Sequence, residues 1–227
     1  MVIKKANKQK KLLLFGAGKT AQVLYYHLIR EGLTISAFLI DDEYMNGQSL
    51  FGKPVIPFQS AAEKYPPDTN DMMIVVGYKR LNQLRAERVN EAEKMGYHLM
   101  SYVSPTAVVW DGLQLAGNCK IGEQTIIQPY STIGKNVFIG SGCIVGHHSK
   151  IMDHCFIASG VIIGGGVTVK PYSFLGTGSI IRNDIEIGES SVIGAGVTLL
   201  ENTGKDSVYI NRSSEKVDIS SMNLEIR

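Results

Sequence analysis

The chain has 227 residues, enough for one large domain or two small ones. Its 44% hydrophobic and 19% charged residues are close to globular averages, which excludes a disordered or fibrous chain. A net charge of +2 gives no sign of a polyanion-binding body, and no apolar run approaches the roughly 20 residues that cross a bilayer.

The start of the chain is rich in lysine. Residues 1–10 contain four lysines and no acid, which predicts a basic tail that is either a frayed terminus or a tether for nucleic acid or lipid. The short apolar stretch that follows leads straight into a glycine turn, so a secretory signal is not expected. Three cysteines without a CxxC pair favour a reducing cytoplasm.

The first hundred residues alternate between strand and helix patterns. Strands are predicted at 11–15, 35–40, 54–58 and 72–76, and helices at 21–31, 60–65 and 81–95, the last closed by Gly96. Such alternation predicts a small parallel sheet. We place this α/β domain at residues 11–103, with its boundary near Ser104 and Pro105.

A glycine turn joins the first strand to the first helix. Gly16, Gly18 and Ala21 follow the G-x-G-x-x-A spacing, and free N–H groups at a helix start can hold a phosphate. Asp41 follows the second strand, where an acid can bind a ribose or a base. A tight turn without ligand is the alternative. An NAD enzyme is disfavoured because no second nucleotide-binding half follows.

A six-residue repeat dominates the second half of the chain. All 17 positions taken in steps of six from Val103 to Leu199 are Val, Ile or Leu. Small residues precede most of them by two positions, and side chains two apart on a strand share a face, so both positions are expected to point inward. Glycine directly follows eight of the aliphatic residues, which predicts a bend there.

This pattern resembles the hexapeptide repeat of left-handed parallel β-helix proteins, in which three hexads form one triangular coil. The resemblance covers residues 104–200 and implies that residues 18 apart stack. Cys119, Cys143 and Cys155 fall on the small inward position, so core packing is their expected role. Residues 201–227 are predicted as a C-terminal tail.

One corner of the predicted β-helix carries residues suited to acyl transfer. His147 follows the inward Val145 by two positions and should face outward, and the 18-residue rule stacks it with Gly165. An imidazole can act as the base and a backbone N–H as the oxyanion donor. A solvated histidine is the alternative.

The two halves together resemble bacterial nucleotide-linked amino-sugar N-acetyltransferases, a group that also includes sialic acid O-acetyltransferases. The resemblance implies a homotrimer with acetyl-CoA between neighbouring helices, catalysis by His147 and Gly165, and no metal. It implies nucleotide-sugar binding by Gly18, Lys19, Thr20, Asp41 and Asp42. It implies acetyl-CoA binding at Phe156, Gly165, Thr177 and Ala195, with Ser159 in the same column as the last two.

The chain departs from the family pattern at two positions. His148 stands where the family often has an acid that orients the catalytic histidine. Phe156 stands where the family has a second histidine, and His154 lies two residues before it at another corner. The sequence therefore assigns no partner to the imidazole of His147.

The predicted function is transfer of acetyl from acetyl-CoA to the amine of a UDP- or dTDP-linked amino-deoxysugar, for bacterial surface polysaccharide or glycan synthesis in the cytoplasm. An O-acetyltransferase acting on a sugar or a sialic acid is the first alternative. A hexapeptide carbonic anhydrase using His147, His148 and His154 is the second. The third is a non-catalytic assembly module.

Overall fold

The structure is a computed structural model that describes residues 11–45, 47 and 49–214. The predicted basic tail, residues 1–10, lies outside the described residues, as do residues 215–227 of the predicted C-terminal tail. In the described ranges no helix combines the length and the apolar character needed to span a membrane.

The N-terminal domain is a five-stranded sheet with helices packed on it. The strands are β1 Lys11–Phe15, β2 Ile35–Ile40, β3 Ser49–Leu50, β4 Lys53–Pro57 and β5 Asn70–Ile74. Their order in the sheet is β3-β4-β2-β1-β5, parallel except for the β3–β4 pair. The helices are α1 Lys19–Arg30, α2 Ala61–Lys64 and α3 Gln83–Lys94, with short 3-10 turns at Asp42–Tyr44 and Phe58–Ser60.

All seven predicted strands and helices are present, five of them with shifted ends. β1 and β2 have the predicted bounds, because each is a short apolar run with a clear polar boundary. α3 begins at Gln83 rather than at residue 81, because Arg80, Leu81 and Asn82 all have left-handed backbone angles that a right-handed helix cannot contain.

The second half is the predicted left-handed parallel β-helix, in which two-residue strands 18 residues apart pair in register. The face that contacts the N-terminal domain, the domain face, contains Tyr102–Val103, Lys120–Ile121, Phe138–Ile139, Phe156–Ile157, Phe174–Leu175, Val192–Ile193 and Val208–Tyr209. The apolar face contains Val108–Val109, Ile126–Ile127, Ile144–Val145, Ile162–Ile163, Ile180–Ile181 and Thr198–Leu199. The polar face contains Thr132–Ile133, Lys150–Ile151, Thr168–Val169 and Glu186–Ile187.

The stack of strands extends past both predicted ends of the β-helix. Tyr102–Val103 already pairs with Lys120–Ile121, and Val208–Tyr209 pairs with Val192–Ile193 although it lies in the segment predicted as a tail. The register of this last strand is 16 residues instead of 18, as Val192 pairs with Val208, so the six-residue repeat does not reveal it.

The small inward residues have a shared hydrogen-bonding role. Their side chains donate to the carbonyl 15 residues later, as in Ser131 to Gly146 (2.8 Å) and Ser149 to Gly164 (2.9 Å). The three cysteines are buried and free, and burial raises the pKa of Cys119 to about 11 and that of Cys155 to about 12. These thiols therefore stay protonated, as expected for core packing.

The glycines that follow the inward aliphatic residues do not make the bend, which corrects the sequence prediction. None of them has a positive φ; the left-handed residue at a corner comes two positions later, as at His148 (φ 58°). Glycine is needed instead because the coils approach closely: a Cβ on Gly146 would lie 2.5 Å from the backbone of Gly164 and Gly165. The constraint is space between coils rather than conformational freedom.

A fully buried arginine joins the two domains. Arg85, on α3, donates to Asn136 Oδ1 (2.9 Å) and to the carbonyls of Asn136, His154 and Cys155 (each 3.2 Å). Its guanidinium lies 4.5 Å from the ring centroid of Phe138. Burial lowers the pKa of Arg85 to about 9, so the side chain stays charged at neutral pH. These bonds fix the domain face against α3.

Candidate active site

The three corners of the β-helix form columns of residues 18 apart. Corner 1, between the domain face and the apolar face, contains residues 123, 141, 159, 177 and 195. Corner 2, between the apolar face and the polar face, contains residues 129, 147, 165 and 183. Corner 3 follows the polar face. The candidate catalytic residues lie at corner 2 and the candidate CoA slot at corner 1.

His147 is exposed at corner 2, as predicted. Its backbone is fixed on both sides: the N–H donates to Gln128 Oε1 (3.0 Å), and the carbonyl accepts from the Gly166 N–H (2.8 Å). The side chain therefore projects from a rigid coil toward solvent. This is a suitable position for a group that must meet a substrate.

Gly165 lies directly against the imidazole of His147. A Cβ built on Gly165 would be 2.6 Å from His147 Cε1 and 2.8 Å from Nε2, so only glycine leaves room for the ring. The predicted stacking of the two residues is confirmed. Within the part of the chain that the structure describes, the Gly165 N–H has no hydrogen-bond acceptor. The site thus pairs an exposed imidazole with an unused backbone donor.

The neighbouring glycines leave room for side chains of the next coil. Asn183 Oδ1 lies over Gly164 and Asp184 Oδ1 lies over Gly166, each where a Cβ would otherwise be. The run Gly164-Gly165-Gly166 therefore accommodates three side chains from two adjacent coils. Part of the space that the three glycines leave is therefore filled.

His148 is the hydrogen-bond partner of His147 that the sequence did not identify. The two Nδ1 atoms are 3.1 Å apart, and the rings meet edge to face with centroids 5.3 Å apart. The ring of His148 packs in turn on the ring of Tyr130, with centroids 4.9 Å apart. The centroids of the Tyr130 and Trp110 rings are 5.7 Å apart. Applying the 18-residue rule to His148 would have pointed to Tyr130.

Phe156 lies on the domain face, away from corner 2. Its ring contacts those of Tyr78 (5.2 Å), Phe174 (5.8 Å) and Phe138 (6.2 Å) in the junction between the two domains. The ring is half-buried among these contacts, and its role in CoA binding stays a prediction.

Ser159, Thr177 and Ala195 are exposed and stacked at corner 1. The Ser159 carbonyl accepts from the Gly178 N–H (3.1 Å) and the Thr177 carbonyl accepts from the Gly196 N–H (2.9 Å), so the column is continuous. Corner 1 and corner 2 are opposite edges of the apolar face. The candidate CoA slot and His147 are therefore separated within one protomer by the width of that face.

A cavity of about 500 Å³ lies at the carboxyl edge of the N-terminal sheet. Of the predicted nucleotide-sugar residues, Gly18, Thr20 and Asp41 line it together, whereas Lys19 and Asp42 do not. Open parallel sheets bind ligands at this edge, beyond the ends of the strands. The cavity therefore brings the glycine turn and the acid after β2 into one site.

The two glycines of the turn have different roles. Gly16 has φ 118°, and a Cβ there would collide with the Val75 carbonyl oxygen, so this position requires glycine for the fold. Gly18 has an ordinary φ of −74° and precedes α1, and a Cβ there would meet nothing within 4 Å. The absent side chain of Gly18 therefore keeps space open in the cavity.

Asp41 is paired with an arginine that no sequence pattern points to. Arg88 Nε donates to Asp41 Oδ1 (2.8 Å), and Arg88 also contacts Glu91 (2.8 Å). Burial alone would lower the pKa of Arg88, but the contacts with the two carboxylates outweigh it and raise the pKa above its usual value. One oxygen of Asp41 is thus held in place. Only the tertiary fold brings α3 to this strand end.

The described residues contain no group of three or more His, Cys, Asp or Glu side chains arranged to hold a metal ion. His154 lies next to corner 3, where its Nδ1 is 2.9 Å from Asn136 Nδ2 and its ring stacks on Tyr172. It is therefore separated from His147 and His148 within the protomer. A three-histidine site would have to combine residues from different copies.

Comparison with known proteins supports the fold. A family model described as the GMPPB C-terminal domain matches residues 115–217, less than half of the chain. No curated protein sequence matches the chain.

Solved structures match nearly the whole chain. A histidine-to-asparagine variant of perosamine N-acetyltransferase from Caulobacter crescentus, in complex with CoA and GDP-perosamine, has TM-score 0.82 and 23% identity, covering 88% of this chain and 93% of that one. The acetyltransferase domain of PglB from Neisseria gonorrhoeae, in complex with acetyl coenzyme A, has TM-score 0.80 and 22% identity over 89% and 97%. WeeI from Acinetobacter baumannii has TM-score 0.80 and 20% identity over 89% and 97%. The chain thus has the two-domain fold of these proteins.

Proposed function

We propose that this protein transfers acetyl from acetyl-CoA to the amino group of a nucleotide-linked amino sugar. The observation that carries the proposal is the contact of the His147 imidazole with Gly165, whose N–H has no acceptor among the described residues. The cavity beside the glycine turn supplies a place for the nucleotide. The structures with GDP-perosamine, CoA and acetyl coenzyme A support the same assignment by their likeness in fold.

The chemistry follows from the two groups at corner 2. Neutral His147 accepts a proton from the sugar amine as the nitrogen attacks the thioester carbonyl carbon. The carbonyl oxygen becomes an oxyanion, which the Gly165 N–H stabilises. The C–S bond then breaks and the imidazolium returns its proton to the CoA thiolate. An N–H on Nδ1 directed at His148 would leave the lone pair of Nε2 free for this role.

We propose that the protein works as a homotrimer. Val108, Ile126, Ile162 and Ile180 form an exposed apolar row on the apolar face, whereas the domain face is covered by the N-terminal domain and the polar face presents Thr, Lys and Glu. Exposed apolar surface of this kind marks an interaction site. Packing it against neighbouring copies would bring corner 1 of one copy to corner 2 of the next, with CoA between them.

The proposal also covers the nucleotide carrier of the acceptor sugar and the biosynthesis that the product serves. The nucleotide carrier is UDP, dTDP or GDP, and the product serves bacterial surface polysaccharide or glycan synthesis in the cytoplasm, where acetyl-CoA and nucleotide sugars are available. A hydroxyl acceptor, as in sialic acid O-acetyltransferases, would react with the help of the same base and oxyanion donor. The two reactions differ only in the nucleophile.

A screen of acceptors tests the proposal. The protein is incubated with acetyl-CoA and UDP-, dTDP- and GDP-linked amino sugars, alongside the corresponding hydroxyl sugars and free sialic acid, and products are detected by mass. We expect a mass gain of one acetyl group on an amino sugar. Acetylation of hydroxyl acceptors alone would assign the O-transferase reaction instead.

The role of His147 is tested in the same assay. We expect His147→Ala and His147→Asn to lower kcat by about 10²- to 10⁴-fold, the usual contribution of a general base. His98→Ala is the matched control, since His98 is an exposed histidine of the N-terminal domain, with Asp71 3.3 Å away. Near-normal turnover by a folded His147 variant would show that another group removes the proton.

A further inference from the structure

Lys79 and Tyr44 meet across the mouth of the nucleotide cavity. Tyr44 belongs to the 3-10 turn after β2 and Lys79 to the loop after β5, and both line the cavity. Lys79 Nζ donates to the Tyr44 hydroxyl at 3.2 Å and lies 5.7 Å from the centroid of its ring. The bond links the turn after β2 to the loop after β5 at the wall of the cavity.

The charge of Lys79 is not neutralised by a carboxylate. Among the described residues no acid lies within ion-pair distance of Lys79, although Asp42 and Glu43 are on the same turn as Tyr44. The acid in the cavity, Asp41, is already paired with Arg88. Within the described residues, the Lys79 ammonium group therefore has only the neutral Tyr44 hydroxyl as a hydrogen-bond partner.

The loop that carries Lys79 is held in an unfavourable conformation. Arg80, Leu81 and Asn82 have φ angles of 52°, 49° and 68°, in the left-handed region that side chains such as those of Arg80 and Leu81 disfavour. Asn82 offsets part of this cost because it is fully buried and donates to the carbonyl of Tyr172 (3.0 Å). The β-helix thus fixes the loop, and such strain is typical of functional sites.

We propose that Lys79 binds the diphosphate of the nucleotide-linked substrate, and that the Tyr44 hydroxyl holds Nζ until the diphosphate replaces it. The inference rests on the proposed function and adds a residue that contacts the phosphates. None of the predicted residues that line this cavity is positively charged. A hydrogen bond between ammonium and phosphate is about twice as strong as one to a neutral acceptor. The exchange therefore favours the bound nucleotide.

The experiment compares ligands with and without phosphate by calorimetry. UDP, dTDP and GDP are titrated into the full chain, and then uridine, thymidine and guanosine. For the best diphosphate we expect Lys79→Gln to weaken binding by about 10- to 100-fold, the range for a hydrogen bond to a charged group. The matching nucleoside should bind Lys79→Gln and wild type equally. Lys79→Arg should keep most of the affinity.

Tyr44→Phe should not weaken diphosphate binding, in contrast to Lys79→Gln. It keeps the ring but removes the hydroxyl that competes for Nζ, so the diphosphate should bind as tightly as to wild type or up to about fivefold more tightly, given a net hydrogen bond of about 1 kcal/mol. Lys64→Gln, an exposed lysine on α2, is the matched control and should change nothing. Melting temperatures of all variants verify the fold.

The outcomes separate this inference from the function itself. Diphosphate binding that is unchanged in Lys79→Gln overturns the role of Lys79 and leaves the acetyltransferase proposal standing. Weaker diphosphate binding by Tyr44→Phe overturns the exchange, because the hydroxyl would then be a ligand contact. If wild type binds none of the three diphosphates, both this inference and the nucleotide-sugar assignment are wrong.

Discussion

The imidazole of His147 covers the Cα of Gly165, leaving no room for a Cβ at that position. This contact links two residues on successive coils and makes the glycine as important for the geometry as the histidine. It also makes the candidate reaction centre testable by adding a single methyl group.

Gly165→Ala should displace the imidazole without unfolding the protein. The added methyl would be 2.6–3.1 Å from three ring atoms, and the end of an exposed side chain can move more easily than backbone. A misplacement of about 1 Å can cost on the order of 10²-fold in rate, so we expect a loss of that size in kcat with a nearly unchanged melting temperature.

A double-mutant cycle checks the cause of that loss. If the methyl acts by displacing the imidazole, Gly165→Ala should cost little in a protein that already carries His147→Ala. Additive losses in kcat would mean that Gly165 contributes independently of the ring.

His148 should orient His147 through its Nδ1 atom. We expect His148→Ala to lower kcat by about 2- to 10-fold, the equivalent of one hydrogen bond of 0.5–1.5 kcal/mol. His148→Asn should lose less, because asparagine tolerates the left-handed backbone at this position (φ 58°) and its amide oxygen can accept the Nδ1 hydrogen. Steady-state kinetics of wild type and the two variants measure these losses in kcat. Equal rates for wild type and His148→Ala would exclude a positioning role.

The two turn glycines should respond differently to alanine. Gly16→Ala forces a methyl onto the Val75 carbonyl at a φ of 118°, so the melting temperature should drop sharply. Gly18→Ala meets no atom within 4 Å, so the fold should be kept while the methyl takes up space needed by the nucleotide. Thermal unfolding together with calorimetry of UDP, dTDP and GDP measures both effects. Unchanged nucleotide affinity in Gly18→Ala would place the phosphate elsewhere.

His154 should make the stability of the protein fall in acid. Burial lowers the pKa of His154 below 6.5 in the folded state and outweighs the opposite effect of Asp153, while Arg85 and Lys135 lower the pKa further. As the pH drops below about 6.5, the unfolded chain gains a proton that the folded one does not, so the free energy of unfolding decreases. Urea unfolding between pH 7.5 and pH 5 should show a smaller decrease in His154→Asn. The same pH dependence in both proteins would assign it to other groups.

The apolar face should hold the copies together. Ile162→Lys places a charge in the middle of the exposed aliphatic row and should convert a trimer into monomers, with loss of activity because corner 1 and corner 2 separate. Thr132→Lys, a β-branched outward residue on the polar face, is the matched control and should remain trimeric. Light scattering after gel filtration measures the mass. A monomeric wild type would contradict the proposed assembly.

The sequence determined the β-helix and the position of its candidate base. The inward aliphatic residues recur every six positions without a break, and the resemblance to left-handed β-helix proteins implies that three hexads form one coil. With that coil period, the 18-residue stacking and the contact of His147 with Gly165 follow from counting. The glycine turn and Asp41 were likewise found from spacing, since the carboxyl ends of parallel strands meet at one edge. In both cases a regular backbone translates sequence distance into spatial distance.

Only the tertiary structure decided the contacts between residues that no repeat relates. The pairing of Asp41 with Arg88 and of Tyr44 with Lys79 joins segments more than 30 residues apart, and no repeat relates them. The contact of the Phe156 ring with Tyr78 of the N-terminal domain likewise follows from no repeat. Such contacts depend on how separate elements pack together, a property that local periodicity does not encode.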